Sequence, residues 1–239
     1  MKIRAVTLDL DDTLWPFAPV AVNIQSALSA WLAEHAPRTH ASFDPAAVAP
    51  MLAAIRSEHP EIAHDLGAVR REVLRRSLAA ADEDPGLAEE AFAVVFAARQ
   101  KVELYPDAAA ALDRLAARVP LLALTDGNAD LELTGVARWF TGLVNAGDVG
   151  VAKPDRRMFD AASAHLDVPP EAILHAGDNL DLDVGGALAA GFQAAWVQRE
   201  QDGSAPAGAV TVRDLTGLAD LVDDEAETAA GGGPAPRQA

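Results

Sequence analysis

Ala5-Val6-Thr7-Leu8-Asp9-Leu10-Asp11-Asp12-Thr13-Leu14 is the stretch that decides the fold. Residues 5–10 form a mostly apolar run without the in-and-out alternation of a half-exposed strand. Such a run predicts a strand covered on both faces, as in a parallel sheet. Asp9, Asp11 and Asp12 fall where that strand ends. Open parallel sheets bind ligands beyond the carboxyl ends of their strands, so acidic groups at this place are candidates for chemistry.

Working outward, short apolar runs recur at residues 121–125, 172–176 and 194–197, with a weaker one at 209–212. Helix-length stretches at 106–117, 129–138, 154–166 and 183–190 accompany them. This alternation predicts an α/β fold, a doubly wound, Rossmann-like parallel sheet. More than a hundred residues separate the first two strands, far more than one crossover helix needs, so something is inserted there. Val20, Ile24, Ala27 and Trp31, then Ile62, Leu66, Val69 and Val73, recur at spacings of three and four, which predicts helices. Asp44-Pro45 and Asp84-Pro85 each read as an N-cap followed by a first-turn proline. The expected organisation is a core of residues 1–15 and 102–225, a helical cap subdomain of residues 16–101, and a disordered tail of residues 226–239 rich in Ala, Gly and Pro.

Composition narrows the function classes. Half of the 239 residues are hydrophobic and 23% are charged, enough apolar material for a sizeable core. Nineteen basic residues against thirty-six acidic ones give a formal charge of −17, which repels a phosphate backbone, so nucleic acid is not an expected partner. With no cysteine, disulfides, thiolate catalysis and zinc-thiolate or iron-sulfur sites are excluded. No apolar stretch approaches the roughly 18 residues of a spanning helix, and the N-terminal run is broken by acids before a signal sequence could form. A cytoplasmic protein without membrane contact is expected, and the sequence leaves its oligomeric state open.

The polar residues at the expected strand ends form one pattern. The second strand closes on Thr125-Asp126-Gly127-Asn128, a loop carries Lys153 before Pro154, and the next strand ends in Gly177-Asp178, with Asp183 five residues on. If these strands are neighbours, Asp9, Asp11, Asp178 and Asp183 converge, and such carboxylates cannot all stay ionised without a compensating cation. All-oxygen ligands without His or Cys point to magnesium. Lys153 adds a fixed positive charge, and Thr125 with nearby backbone N–H groups adds donors for an anion. The set suits phosphoryl transfer, where catalysis is mainly positioning and charge stabilisation.

These residues resemble the four motifs of the haloacid dehalogenase-like hydrolase superfamily. Asp9-Leu10-Asp11-Asp12-Thr13-Leu14 is similar to its first motif and Thr125 to its second; Lys153 within Gly150-Val151-Ala152-Lys153-Pro154-Asp155 is similar to its third, and Gly177-Asp178 with Asp183 to its fourth. The likeness covers residues 1–15 and 102–222, and the insert is similar to the helical cap of the family's first cap class. It implies a phosphatase in which Asp9 is the nucleophile that becomes an aspartyl phosphate and Asp11 is the general acid and base. Thr125, Gly127, Asn128 and Lys153 are the implied substrate-binding residues, with Thr125 and Lys153 catalytic as well. The implied Mg²⁺ ligands are Asp9, Asp178 and the backbone carbonyl of Asp11, with Asp183 acting through water or by orienting its loop. Asp12 stands where many members have glycine, and it is read as a local cap rather than a catalytic group.

Other residues are read more plainly. Arg70, Arg71, Arg75 and Arg76 are expected to form a solvated helix face with a Glu72–Arg76 pair, the alternative being an anion site. His175 is expected to pack, Asp181 to be solvated, and Trp15, Phe17 and Trp31 to pack near the core–insert junction. A phosphomutase shares all four motifs; a haloacid dehalogenase generally lacks the acid at the Asp11 position. A non-catalytic binding module on the same fold is the alternative of another class. Residues 175–196 resemble bacterial members acting on flavin-pathway phosphates such as flavin mononucleotide.

Overall fold

The structure is a computed structural model that describes residues 2–199 and 203–231. Six strands, β1 (Ala5–Leu8), β2 (Leu121–Thr125), β3 (Leu143–Asn145), β4 (Ile173–Gly177), β5 (Gln193–Val197) and β6 (Ala209–Val212), form one sheet in the order β3-β2-β1-β4-β5-β6. Every neighbouring pair is parallel, with Val6 opposite both Leu121 and Leu174. The continuous apolar runs follow from burial on both faces. Val6, Leu8, Leu121 and Ala123 pack on one side of the sheet, while Ala5, Leu122, Leu124 and Ile173 pack on the other.

Between β1 and β2 lie α1 (Phe17–His35), α2 (Pro37–Ser42), α3 (Pro45–Glu58), α4 (Leu66–Ala80) and α5 (Ala88–Arg99). They hold apolar clusters of their own, one around Leu28, Leu32, Leu78 and Phe92 and another around Ile55, Val69 and Val73. Asp44 caps α3 by accepting the Ala46 N–H at 2.9 Å, as its spacing predicts. Asp84 caps a single 3-10 turn, Pro85–Leu87, that runs into α5. The remaining helices are α6 (Ala108–Ala116), α7 (Ala146–Val149), α8 (Arg156–Leu166), α9 (Gly186–Ala190) and α10 (Leu215–Gly231). Side chains of α6 and α10 cover one face of the sheet, and those of α8 and α9 cover the other. Among the described residues no helix is long and apolar enough to cross a membrane.

Five expectations are corrected, one of them Ile62, which lies in the turn before α4 rather than in a helix. Residues 129–138 form turns and a short 3-10 piece, Ala137–Trp139, rather than a helix. Asp130 Oδ1 accepts the N–H groups of Glu132 and Leu133, both at 2.9 Å, and Gly135 at φ 78 stops propagation after one turn. Residues 183–190 split into a π-helical turn, Leu180–Gly185, followed by α9. The first strand ends at Leu8, which leaves Asp9 beyond it. Finally, α10 runs to Gly231, because the Ala-rich stretch from residue 226 has high helix propensity and continues the helix; residues 232–239 of the expected tail lie outside those described.

Candidate active site

The chain changes direction across the sheet at β1, whose neighbours are β2 and β4, so a crevice opens beyond the carboxyl ends of these three strands. Asp9 follows β1 there, and its backbone N–H is bonded to Ala176 O at 3.0 Å. Thr125 closes β2, and Asp178 follows β4. Lys153 reaches in from the loop before α8 and donates from Nζ to Asp9 Oδ1 at 2.6 Å, Asp183 Oδ1 at 2.6 Å and Leu124 O at 3.1 Å. Asp9, Lys153 and Asp183 are all buried.

Burial of this kind shifts proton affinities strongly. Asp9 is raised well above the ordinary carboxylate value, by burial first, with Lys153 opposing and Asp183 adding to it. Against the upward push of burial, Lys153 and His175 hold Asp183 well below that value. In the same way the Asp183 and Asp9 carboxylates overcome burial and keep Lys153 protonated. Asp178 is pushed up to about 6, by burial and then by Asp183 and Asp12.

Asp183 is a hub as well as an acid. Its Oδ2 accepts the Asn179 N–H at 3.0 Å, its Oδ1 meets His175 Nε2 at 3.2 Å, and the other His175 nitrogen meets Thr7 Oγ1 at 2.9 Å. His175 is thus packed and bonded within the sheet, edge-on to Phe159. Gly177 allows the arrangement, because a Cβ there would collide with the Asp183 carboxylate.

Carboxylate oxygens of Asp9, Asp178 and Asp183 lie within 4.8 Å of one another. Three carboxylates against the single ammonium of Lys153 leave an excess of negative charge, and an all-oxygen donor set of this size fits a hard divalent cation. The Asp11 carboxylate does not join them. It turns toward the insert, where Arg99 Nη2 donates to both of its oxygens, at 2.8 and 2.7 Å, and Trp15 Nε1 donates to Oδ1 at 2.7 Å.

The loop after β2 lies against this pair. Thr125 Oγ1 accepts the Gly127 N–H at 3.0 Å, and a Cβ on Gly127 would stand 3.2 Å from Asp11 Oδ2 and 3.5 Å from Arg99 Nη2. Glycine permits that close approach. Asn128 Oδ1 receives Arg70 Nη1 at 3.4 Å, and Gln100 clamps the loop through Asn128 O and the Asp130 N–H. Asp12, at φ 56, accepts the Phe17 N–H at 2.8 Å and so caps the entrance to α1; Asp181 is exposed.

Arg99 and Gln100 went unread in the sequence, where the only signal was a polar cluster at the point where the insert returns to the core. The arginine face divides. Arg71, Arg75 and Arg76 pair with Glu89, Glu72 and Glu58 as a solvated face, whereas Arg70 turns inward to Asn128. Trp15 is buried beside Asp11, Trp31 stacks on His35, and Phe17 lines an apolar cavity of about 340 Å³ within the insert, together with Ile24, Phe43 and the stem of Arg70.

A family model for haloacid dehalogenase-like hydrolases matches residues 3–191. The chain belongs to the haloacid dehalogenase-like hydrolases. Among its relatives is the 5-amino-6-(5-phospho-D-ribitylamino)uracil phosphatase YigB of Escherichia coli, 37% identical over 207 residues that cover 83% of this chain and 85% of that one. A phosphoserine phosphatase of Thermus thermophilus is 32% identical over 222 residues, covering 82% and 89%. The crystal structure of a 2-haloacid dehalogenase from Pseudomonas syringae superposes with a TM-score of 0.86 at 32% identity, covering 93% of this chain and 99% of that one. This haloacid dehalogenase-like hydrolase is therefore an enzyme whose family includes both phosphatases and dehalogenases.

Proposed function

We propose that the enzyme is a magnesium-dependent phosphatase that hydrolyses a small phosphomonoester through an aspartyl phosphate on Asp9. The observation that carries the reading is the join of Asp9 to Lys153 at 2.6 Å beside the Asp178 and Asp183 carboxylates, with a second acid, Asp11, two residues from the nucleophile. Phosphatases among the relatives support the reaction class. They act on phosphomonoesters with different leaving groups, which leaves flavin mononucleotide and sugar phosphates in the substrate panel.

Lys153 fixes Asp9 Oδ1, so Oδ2 is the oxygen that attacks phosphorus. As the Asp9–phosphorus bond forms, the bond to the leaving oxygen breaks, and Asp11 gives that oxygen its proton. In the second step Asp11 takes a proton from water, the water oxygen attacks phosphorus, and inorganic phosphate leaves Asp9 as a carboxylate. For the first step Asp11 must carry a proton, so its bonds to Arg99 loosen when substrate enters. Thr125 Oγ1, which accepts the Gly127 N–H, directs its own proton at a phosphoryl oxygen, and Lys153 neutralises charge as it develops. A magnesium ion held by Asp9, Asp178 and the Asp11 backbone carbonyl, with Asp183 ordering the site, supplies further charge neutralisation when bound. Residues 16–101 act as a cap that excludes bulk water, which suits a small cytoplasmic substrate rather than a nucleic acid.

A dehalogenase reading has the Pseudomonas syringae structure in its favour, and Asp11 against it. The expected outcome is phosphate release from p-nitrophenyl phosphate that requires magnesium, stops with EDTA and falls at least about 10³-fold in Asp9→Asn. Chloride release from 2-chloropropionate in EDTA, without phosphate release, would reverse the assignment.

A further inference from the structure

Resting on the phosphatase reading, the geometry points to a receptor formed by Arg99, Arg70 and Asn128 for a second anionic group, a carboxylate or phosphate, on the leaving group of the substrate. Arg99 closes α5 and is wholly buried. Its Nη2 is committed to both oxygens of Asp11, while its Nη1 is buried without a hydrogen-bond partner. Asn128 Nδ2 is likewise buried and unpartnered. Arg70, on α4, has no carboxylate within ion-pair distance among the described residues, and its one bond is the long one to Asn128 Oδ1 at 3.4 Å. Burial, followed by repulsion from Arg99, pulls its pKa down to about 10.

The imbalance has one sign. The two orphaned atoms are donors, and of the two guanidiniums only that of Arg99 has a carboxylate partner, Asp11, among the described residues. A buried cation or donor without a partner is costly, so what the place lacks is a negatively charged acceptor. Planar guanidinium edges match the paired oxygens of a carboxylate or phosphate. The receptor adjoins the phosphoryl position on its insert side. Asp9, Thr125 and Lys153 surround the reacting phosphorus, whereas Arg70 and Arg99 come from the insert and meet the loop at Gly127 and Asn128 from that side. A group a few bonds from the reacting phosphorus spans the interval. Because both orphaned donors are closed to solvent, the ligand enters as the insert lifts from the 126–128 loop and is enclosed when it returns.

The test compares matched substrates on the full chain with magnesium: 2-phosphoglycolate against ethyl phosphate, and 3-phosphoglycerate against glycerol 3-phosphate. In each pair kcat/KM should favour the doubly anionic member by about tenfold or more, and Arg70→Met should bring the ratio toward one. A wild-type ratio of one or less overturns the receptor, as does an Arg70→Met variant that slows both members of a pair equally, since the arginine then serves the reacting phosphoryl group. Should Arg70→Met fail to melt cooperatively, the wild-type ratio still decides, together with malonate, which should compete with p-nitrophenyl phosphate; no competition overturns the receptor. No phosphate from any substrate is a different result, and it rejects the phosphatase reading itself.

Discussion

At Lys153, one ammonium serves two buried carboxylates, and within the acidic trio proton affinity is raised at Asp9 and, to about 6, at Asp178. With Asp178 a metal ligand, as proposed, metal and proton compete for it. Below that pH the Asp178 proton must be displaced, at about tenfold in affinity per pH unit for this one group, in addition to the proton on Asp9. Titrating magnesium into the full chain by calorimetry from pH 7.5 to 5 should show affinity falling at least this steeply below pH 6, and an affinity that stays flat to pH 5 would remove Asp178 from the ligand set. Asp9, Thr125 and Asp178 are legible in the sequence because each ends or follows an apolar run, whereas Lys153 alone reads as a surface lysine and stands out only through its place in the series of motifs. Arg99 carries no such mark. Its role exists only because the end of α5 reaches the turn that follows β1, bringing together residues 88 positions apart.

Elements were legible where one local force dominates. Strands buried on both faces show as unbroken apolar runs, which is why β1, β2, β4 and β5 stand out. The three residues of β3 are too few to establish a pattern, and its place at the sheet edge is fixed by pairing with β2. Residues 129–138 carry helical spacing, but Asp130 turns the chain by bonding its own neighbours, and Gly135 ends the turn. Capping decided the insert more faithfully. Ile62, read as part of a helix, falls in the turn before α4, and Asp65 begins the helix by accepting the Ala68 N–H at 2.9 Å. Asp65→Ala leaves that N–H without its side-chain partner and should cost about 1 kcal/mol in urea unfolding, with an unchanged m-value. A loss near zero would mean that water replaces the cap.

Over the whole molecule the governing quantity is the formal charge of −17. Two effects of added salt oppose each other. Screening weakens the ion pairs that tie α6 and the turn after it to α10, Arg114 with Asp220 and Asp223 and Arg118 with Asp223, but these pairs are exposed and contribute little. Screening also relieves repulsion among thirty-six acidic side chains set against nineteen basic ones, a force that acts on the compact state throughout. Raising monovalent salt from 0.01 to 0.3 M shortens the Debye length from about 30 Å to less than about 10 Å, comparable to the spacing of neighbouring surface charges. Relief of repulsion should win, so the magnesium-free chain should melt several degrees higher at 0.3 M potassium chloride than at 0.01 M. A melting temperature that falls over this range would show that the surface ion pairs, rather than the net charge, set the electrostatic part of stability.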